Sequence, residues 1–115
     1  MAYSIPMSNY DWIRYRVQSA INLAESVPLD ELNKDFNIET DLQLDPLSYI
    51  ELLMYIEDEL SVSLDQDIDE RILKLKTVHD FVEYIVDYFN CVAENKSHPI
   101  LDAHPNLRLV PHPRG

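Results

Sequence analysis

Four groups of residues in this chain have types, and in part spacings, that suit chemistry. Asp65, Asp67 and Asp69 occupy the first, third and fifth places of a calcium-loop pattern. Glu70 stands where that loop needs glycine, and Lys76 where its bidentate carboxylate belongs, so a solvated acidic turn is expected there. His98, His104 and His112 each precede a proline. Imidazoles spaced in this way on a stretch without periodicity preorganise no metal, and His-Pro pairs read as turn-formers. Serines and aspartates are scattered, with no glycine-rich elbow to present a nucleophile. The fourth group lies in LQLDPLSYIELLMYIEDEL, residues 42–60, where Glu51, Glu57, Asp58 and Glu59 follow a helix start at Asp45-Pro46. Carboxylates gathered on one helix suit recognition of a basic protein surface, and the ordinary alternative is a solvated helix face. Ser48 supplies a hydroxyl in the first turn, where such groups commonly bond to the backbone.

Helices must position these residues. Ile13, Val17, Ile21 and Ala24 mark one face of a helix over about Tyr10–Ser26, with Ser8 and Asp11 spaced as a capping pair and Pro28 disfavouring continuation. Residues 27–44 read as a long connection in which Leu29, Leu32, Phe36, Ile38 and Leu42 cover a core edge. The second helix opens at Asp45, whose side chain suits an N-cap, and Pro46, which at the first helical position gives up only an unpartnered amide. Leu47, Ile50, Leu53, Met54, Ile56 and Leu60 form a broad apolar face to about Leu60, with the acidic residues outside it. A short helical turn is expected around Asp67–Leu73. Thr77 with Asp80 resembles a capping box for a last helix through Val78, Phe81, Val82, Ile85 and Phe89, ending near Asn90. Residues 1–9 are a lead, 10–90 a helical domain, and 91–115 a Pro- and His-containing tail. The apolar tail residues Ile100, Leu101, Leu107, Leu109 and Val110 suit docking on the chain's own body or on a partner, with surplus disorder as the alternative.

Composition narrows the function. The chain has 115 residues, enough for one modest core, and a formal net charge of −12. Phosphate backbones and anionic membranes need clustered Lys and Arg, so nucleic acid and membrane partners are not expected. The single cysteine, Cys91, rules out an intrachain disulfide, and Gly115 is the only glycine. Phosphate-cradling loops need glycines within the chain, so kinase, P-loop and Rossmann readings fall. No secretory pattern or membrane-length apolar run is visible, which makes the cytoplasm the expected location.

DLQLDPLSYIELLMYIEDELSVSL, residues 41–64, resembles the acyl carrier protein family, small acidic helical bundles that carry acyl chains on 4′-phosphopantetheine. Asp41, Leu42, Asp45, Leu47, Glu51 and Leu52 parallel the family's Asp-Leu-Gly-x-Asp-Ser-Leu and following Val-Glu-Leu, and TVHDFVEYI at 77–85 resembles its last helix. The resemblance covers about residues 10–89 and implies an all-α, acyl-carrier-like four-helix bundle of three main helices and one short one. It places the prosthetic-group serine at position 46, where Pro46 offers no hydroxyl, and the family glycine at Gln43. The expectation is therefore a non-catalytic interaction or scaffold protein, without a cofactor, docking on a biosynthetic enzyme with a basic patch. Asp45, Leu47, Glu51, Met54, Glu57, Asp58 and Glu59 would form the docking surface. The alternative is a carrier of fatty-acid, polyketide or related biosynthesis loaded with phosphopantetheine on Ser48. A helical protein unrelated to carriers would show a different helix order.

Overall fold

The computed structural model describes residues 9–105. The chain forms α1 (Asn9–Glu25), α2 (Ile38–Leu42), α3 (Pro46–Leu60), α4 (Val78–Glu94) and α5 (Pro99–Ala103), with 3-10 turns at Leu29–Glu31 and Glu70–Lys74. No strand occurs among the described residues, and the fold is an all-α bundle.

α1 and α4 bury the stripes that their apolar periods predict, whereas on α3 only Leu53, Ile56 and Leu60 of the expected face are buried, Leu52 joins them, and Leu47, Ile50 and Met54 stand exposed. Ile13, Val17, Ala20 and Ile21 of α1 meet Leu52, Leu53, Ile56 and Leu60 of α3, and Val78, Phe81, Val82 and Ile85 of α4, in one continuous core. α1 is the central element, packing against both α3 and α4. Its Gln18 amide donates to the Leu32 carbonyl, which fixes the returning connection against the helix.

Helix ends follow local chemistry. Asp45 accepts the Ser48 amide at 2.8 Å, with Pro46 behind it, so α3 starts where the sequence places it. Thr77 and Asp80 form a reciprocal capping box at the start of α4, and each satisfies an amide that the helix leaves open. With no internal glycine, Ser26, Gln43, Ser61 and Asn95 take the left-handed conformation where α1, α2, α3 and α4 end. α2 is anchored by Asn37, whose side chain accepts the Thr40 amide. An isolated bridge joins Asn37 to Thr77, and on either side of it Ile38 donates to the Lys76 carbonyl (2.6 Å) and Val78 to that of Phe36 (3.1 Å).

Four further expectations change. The stretch 27–44, read as a connection, contains α2 at Ile38–Leu42, because Asn37 caps its first turn and Ile38 is buried in the core. The last helix runs beyond Asn90 to Glu94, because Tyr88 and Cys91 continue its buried face. The short helix expected at Asp67–Leu73 is the 3-10 turn Glu70–Lys74, capped by Asp69. Part of the stretch read as tail is helical: α5 inserts Ile100 and Leu101 into the core, both fully buried. The Ser8 cap, Leu107, Leu109, Val110 and His112 lie outside the described residues.

Candidate docking and carrier site

The buried side of α3 is set by Leu52, Leu53, Ile56 and Leu60. At about 100° per residue, the opposite pole of the helix carries Leu47, Glu51, Met54 and Asp58. All four are exposed; Leu47 and Met54 keep 66% and 56% of their surface open to solvent. Apolar and acidic side chains therefore alternate along the outermost line of the helix. Exposed apolar groups of this kind would gain by burial, and the carboxylates beside them set the charge that any contacting surface would meet.

The other acidic residues expected there are turned to structural work. Glu57 is half-buried and accepts the Leu64 amide at 2.7 Å, closing the turn that leaves the helix. Glu59 is half-buried on the α1 flank and meets the Arg16 guanidinium at 3.4 Å, while Arg16 also lies over the Trp12 ring. Asp45 is exposed at the N-cap, where the Ser48 amide and then its hydroxyl hold the carboxyl below its usual range.

A hollow of about 300 Å³ opens beside the start of α3, walled by Pro46, Tyr49 and Ile50 from the helix and by Ile38, Leu73 and Leu75 from the flanking segments. Tyr49 holds the far wall in place: its hydroxyl donates to the Ile72 carbonyl at 2.7 Å, and burial pushes the phenol up. Lys76 and Glu39, paired at 2.6 Å, border the same hollow. Sequence reasoning missed this wall because Leu73 and Leu75 carry no helical period. The Asn37-x-x-Thr40 cap was the signal available for α2.

Pro46 borders the hollow, and Ser48 does not. Two residues along the helix turn a side chain by roughly 200°, which carries Ser48 to the α1 flank of α3. The remaining candidates are structural. Asp69 is buried, with Arg71 and Tyr84 on its carboxylate, and Asp65 accepts the Asp67 amide at 2.9 Å. Among the described residues no group of three or more His, Cys, Asp or Glu side chains is arranged to hold a metal ion. His104 is exposed, and His98 is buried at the start of α5.

No protein-family model matches the chain. It is 33% identical over 75 residues to an acyl carrier protein of Lactobacillus johnsonii, an alignment covering 65% of this chain and 90% of that protein. The chain belongs to the acyl carrier protein family. It is also 34% identical over 82 residues to an acyl carrier protein of Rickettsia bellii (71% of this chain, 98% of the relative) and 31% identical over 70 residues to one from Nitratidesulfovibrio vulgaris (61% and 92%). These relatives overturn the expectation that the chain takes no cofactor, since 4′-phosphopantetheine is the group that membership of this family implies. A phosphodiester needs a hydroxyl oxygen, and Pro46, which the resemblance aligned with the family serine, has none. The hydroxyl at the start of α3 in this acyl carrier relative belongs to Ser48.

Proposed function

We propose that this member of the acyl carrier protein family is a non-catalytic docking protein that presents the outer pole of α3 to a basic patch on a biosynthetic enzyme. The observation that carries the reading is the alternation Leu47–Glu51–Met54–Asp58 along that pole, solvent-facing at every position. Glu57 and Glu59 shape the helix ends and flank, so the recognition charge rests on Glu51 and Asp58, with Asp45 at the head of the helix. The apolar hollow next to Pro46 suits an acyl chain brought to the same end of the helix. Where the prosthetic arm is attached, Ser48 takes it. A cytoplasmic setting belongs to the same reading.

The test is calorimetric titration of the full chain against its purified partner enzyme at low and at raised salt. Glu51→Lys with Asp58→Lys is expected to weaken binding by at least about tenfold, because like-charge juxtaposition at an interface costs several kcal/mol. The wild-type affinity should itself fall as salt rises. An unchanged Kd for the double variant would remove α3 from the interface.

A further inference from the structure

His98 is the most enclosed ionisable side chain outside the α3 site, with 1% of its surface exposed. Its Nδ1 accepts the Ile100 amide at 3.2 Å and so caps the first turn of α5. In the neutral ring that does this, the proton sits on Nε2, which is buried and has no hydrogen-bond partner. Tyr84 and Tyr88 of α4 pack against the imidazole with near-perpendicular ring planes, their ring centres each 5.4 Å from its own.

Charged groups face the ring from three elements. From α4, the Asp87 carboxylate is 4.0 Å from Nε2, beyond hydrogen-bond reach. From the 3-10 turn come Asp69 and Arg71, and the Asp69 carboxylate is already held by Arg71 and by the Tyr84 hydroxyl. From α5 itself, Asp102 accepts the Ser97 hydroxyl at 2.6 Å. Burial holds His98 below the usual imidazole value; Arg71 adds to that push, and Asp87, Asp69 and Asp102 oppose it.

We propose that α5 is an acid-released clasp, closed over the C-terminal part of α4 while His98 is neutral and opened when the ring takes up a proton. Protonation fills the Nδ1 lone pair, so the Ile100 amide loses its acceptor and the N-cap is gone. It also leaves a cation in a site that is almost closed to water. Only a five-residue helix has to move, held in the core by Ile100 and Leu101, so the bundle of α1, α3 and α4 stays folded. The linker that leads into the clasp covers Cys91, which is 6% exposed and whose thiol donates to the Ser97 carbonyl at 3.6 Å. Opening therefore uncovers the only thiol of the chain.

The sign follows from linkage. A histidine held below its unfolded value stabilises the closed form above about pH 6.5, and that contribution is lost as the pH falls further. Dithiodipyridine labelling of Cys91 in the full chain, from pH 7.5 to 4.5, reads the opening directly when each rate is divided by that of the urea-unfolded chain at the same pH. Wild-type protection is expected to drop about tenfold per pH unit once His98 begins to titrate, the limit for one proton. His98→Asn retains an N-cap acceptor that does not titrate, and its protection should stay level. Flat wild-type protection to pH 4.5, or the same fall in His98→Asn, would overturn the proposal. Should His98→Asn label fast at every pH, proton NMR of the wild-type ring decides. A ring that titrates while the Ile100 amide stays protected from exchange overturns the clasp, and simultaneous loss of that protection upholds it.

Discussion

Asp69→Asn tests how the wall of the hollow is held. Asp69 keeps 4% of its side-chain surface open and receives Arg71 Nε at 2.9 Å, Arg71 Nη2 at 2.6 Å and the Tyr84 hydroxyl at 2.7 Å, while its Oδ1 caps the 3-10 turn at the Arg71 amide. Hydrogen bonds from the Arg71 side chain, and after them from Tyr84 and the Arg71 amide, overcome the opposing effect of burial and hold the carboxyl at about 2. Against an unfolded value of 3.8, and at about 1.4 kcal/mol per pH unit, the ionised group stabilises the fold by about 2 kcal/mol at neutral pH. Asparagine keeps an oxygen for the cap and turns an NH2 to Tyr84, whose hydroxyl can accept from it, but loses the charge, and Arg71 remains solvated rather than stranded. Urea denaturation at pH 7 should therefore show Asp69→Asn about 2 kcal/mol less stable. For a depressed carboxyl, that stability is present above the unfolded value and disappears as the pH falls through the folded one. The gap between the two proteins should have shrunk to about half by pH 3. A gap that stays constant from pH 7 to pH 3 would refute the electrostatic account and assign the loss to shape alone.

Two further outcomes follow from single residues. Gln43 closes α2 at φ 53°, ψ 46°, a left-handed conformation that costs a residue with a Cβ roughly 1 kcal/mol, so Gln43→Gly should raise the thermal midpoint by a few degrees; a lower midpoint would mean that the unfolded chain's gain in freedom dominates. Pro46→Ser should fold with a stability change within about 1 kcal/mol, since position 46 needs no helical amide partner. With coenzyme A and a broad-specificity phosphopantetheinyl transferase it should gain the mass of one phosphopantetheine on the new hydroxyl, and failure there would show that Gln43 and its loop also block the transferase.

What was legible in the sequence was what short-range chemistry decides. Asp45-Pro46 placed the start of α3 to the residue, and Thr77 with Asp80 did the same for α4, because a cap is a contact between neighbours. The outer pole of α3 was legible only in its acidic half, since Leu47 and Met54 read as part of the apolar face until the burial of Leu52, Leu53, Ile56 and Leu60 fixes the core side. The roles of Glu57 and Glu59 were not. Their partners, Leu64 and Arg16, are set by how the chain turns after Leu60 and how α1 lies against α3. α5 escaped for a related reason: five residues carry too little period to read, and that segment is helical because Ile100 and Leu101 find a place in a core built by other elements. The burial of His98 depends on the same tertiary placement.

The bridge between Asn37 and Thr77 has a consequence for the order of assembly. Ile38 and Glu39 border the hollow from one side of that bridge, Leu75 and Lys76 from the other. The chain between them forms a closed loop that contains the whole of α3. Joining its ends is an entropic step that the helices do not need in order to form, so the hollow comes into being only when the loop is drawn shut. On a growing chain, α3 can coil and show its outer pole before residues 75 to 78 have been made. The outer pole of α3 is thus available earlier in the life of the molecule than the hollow beside it.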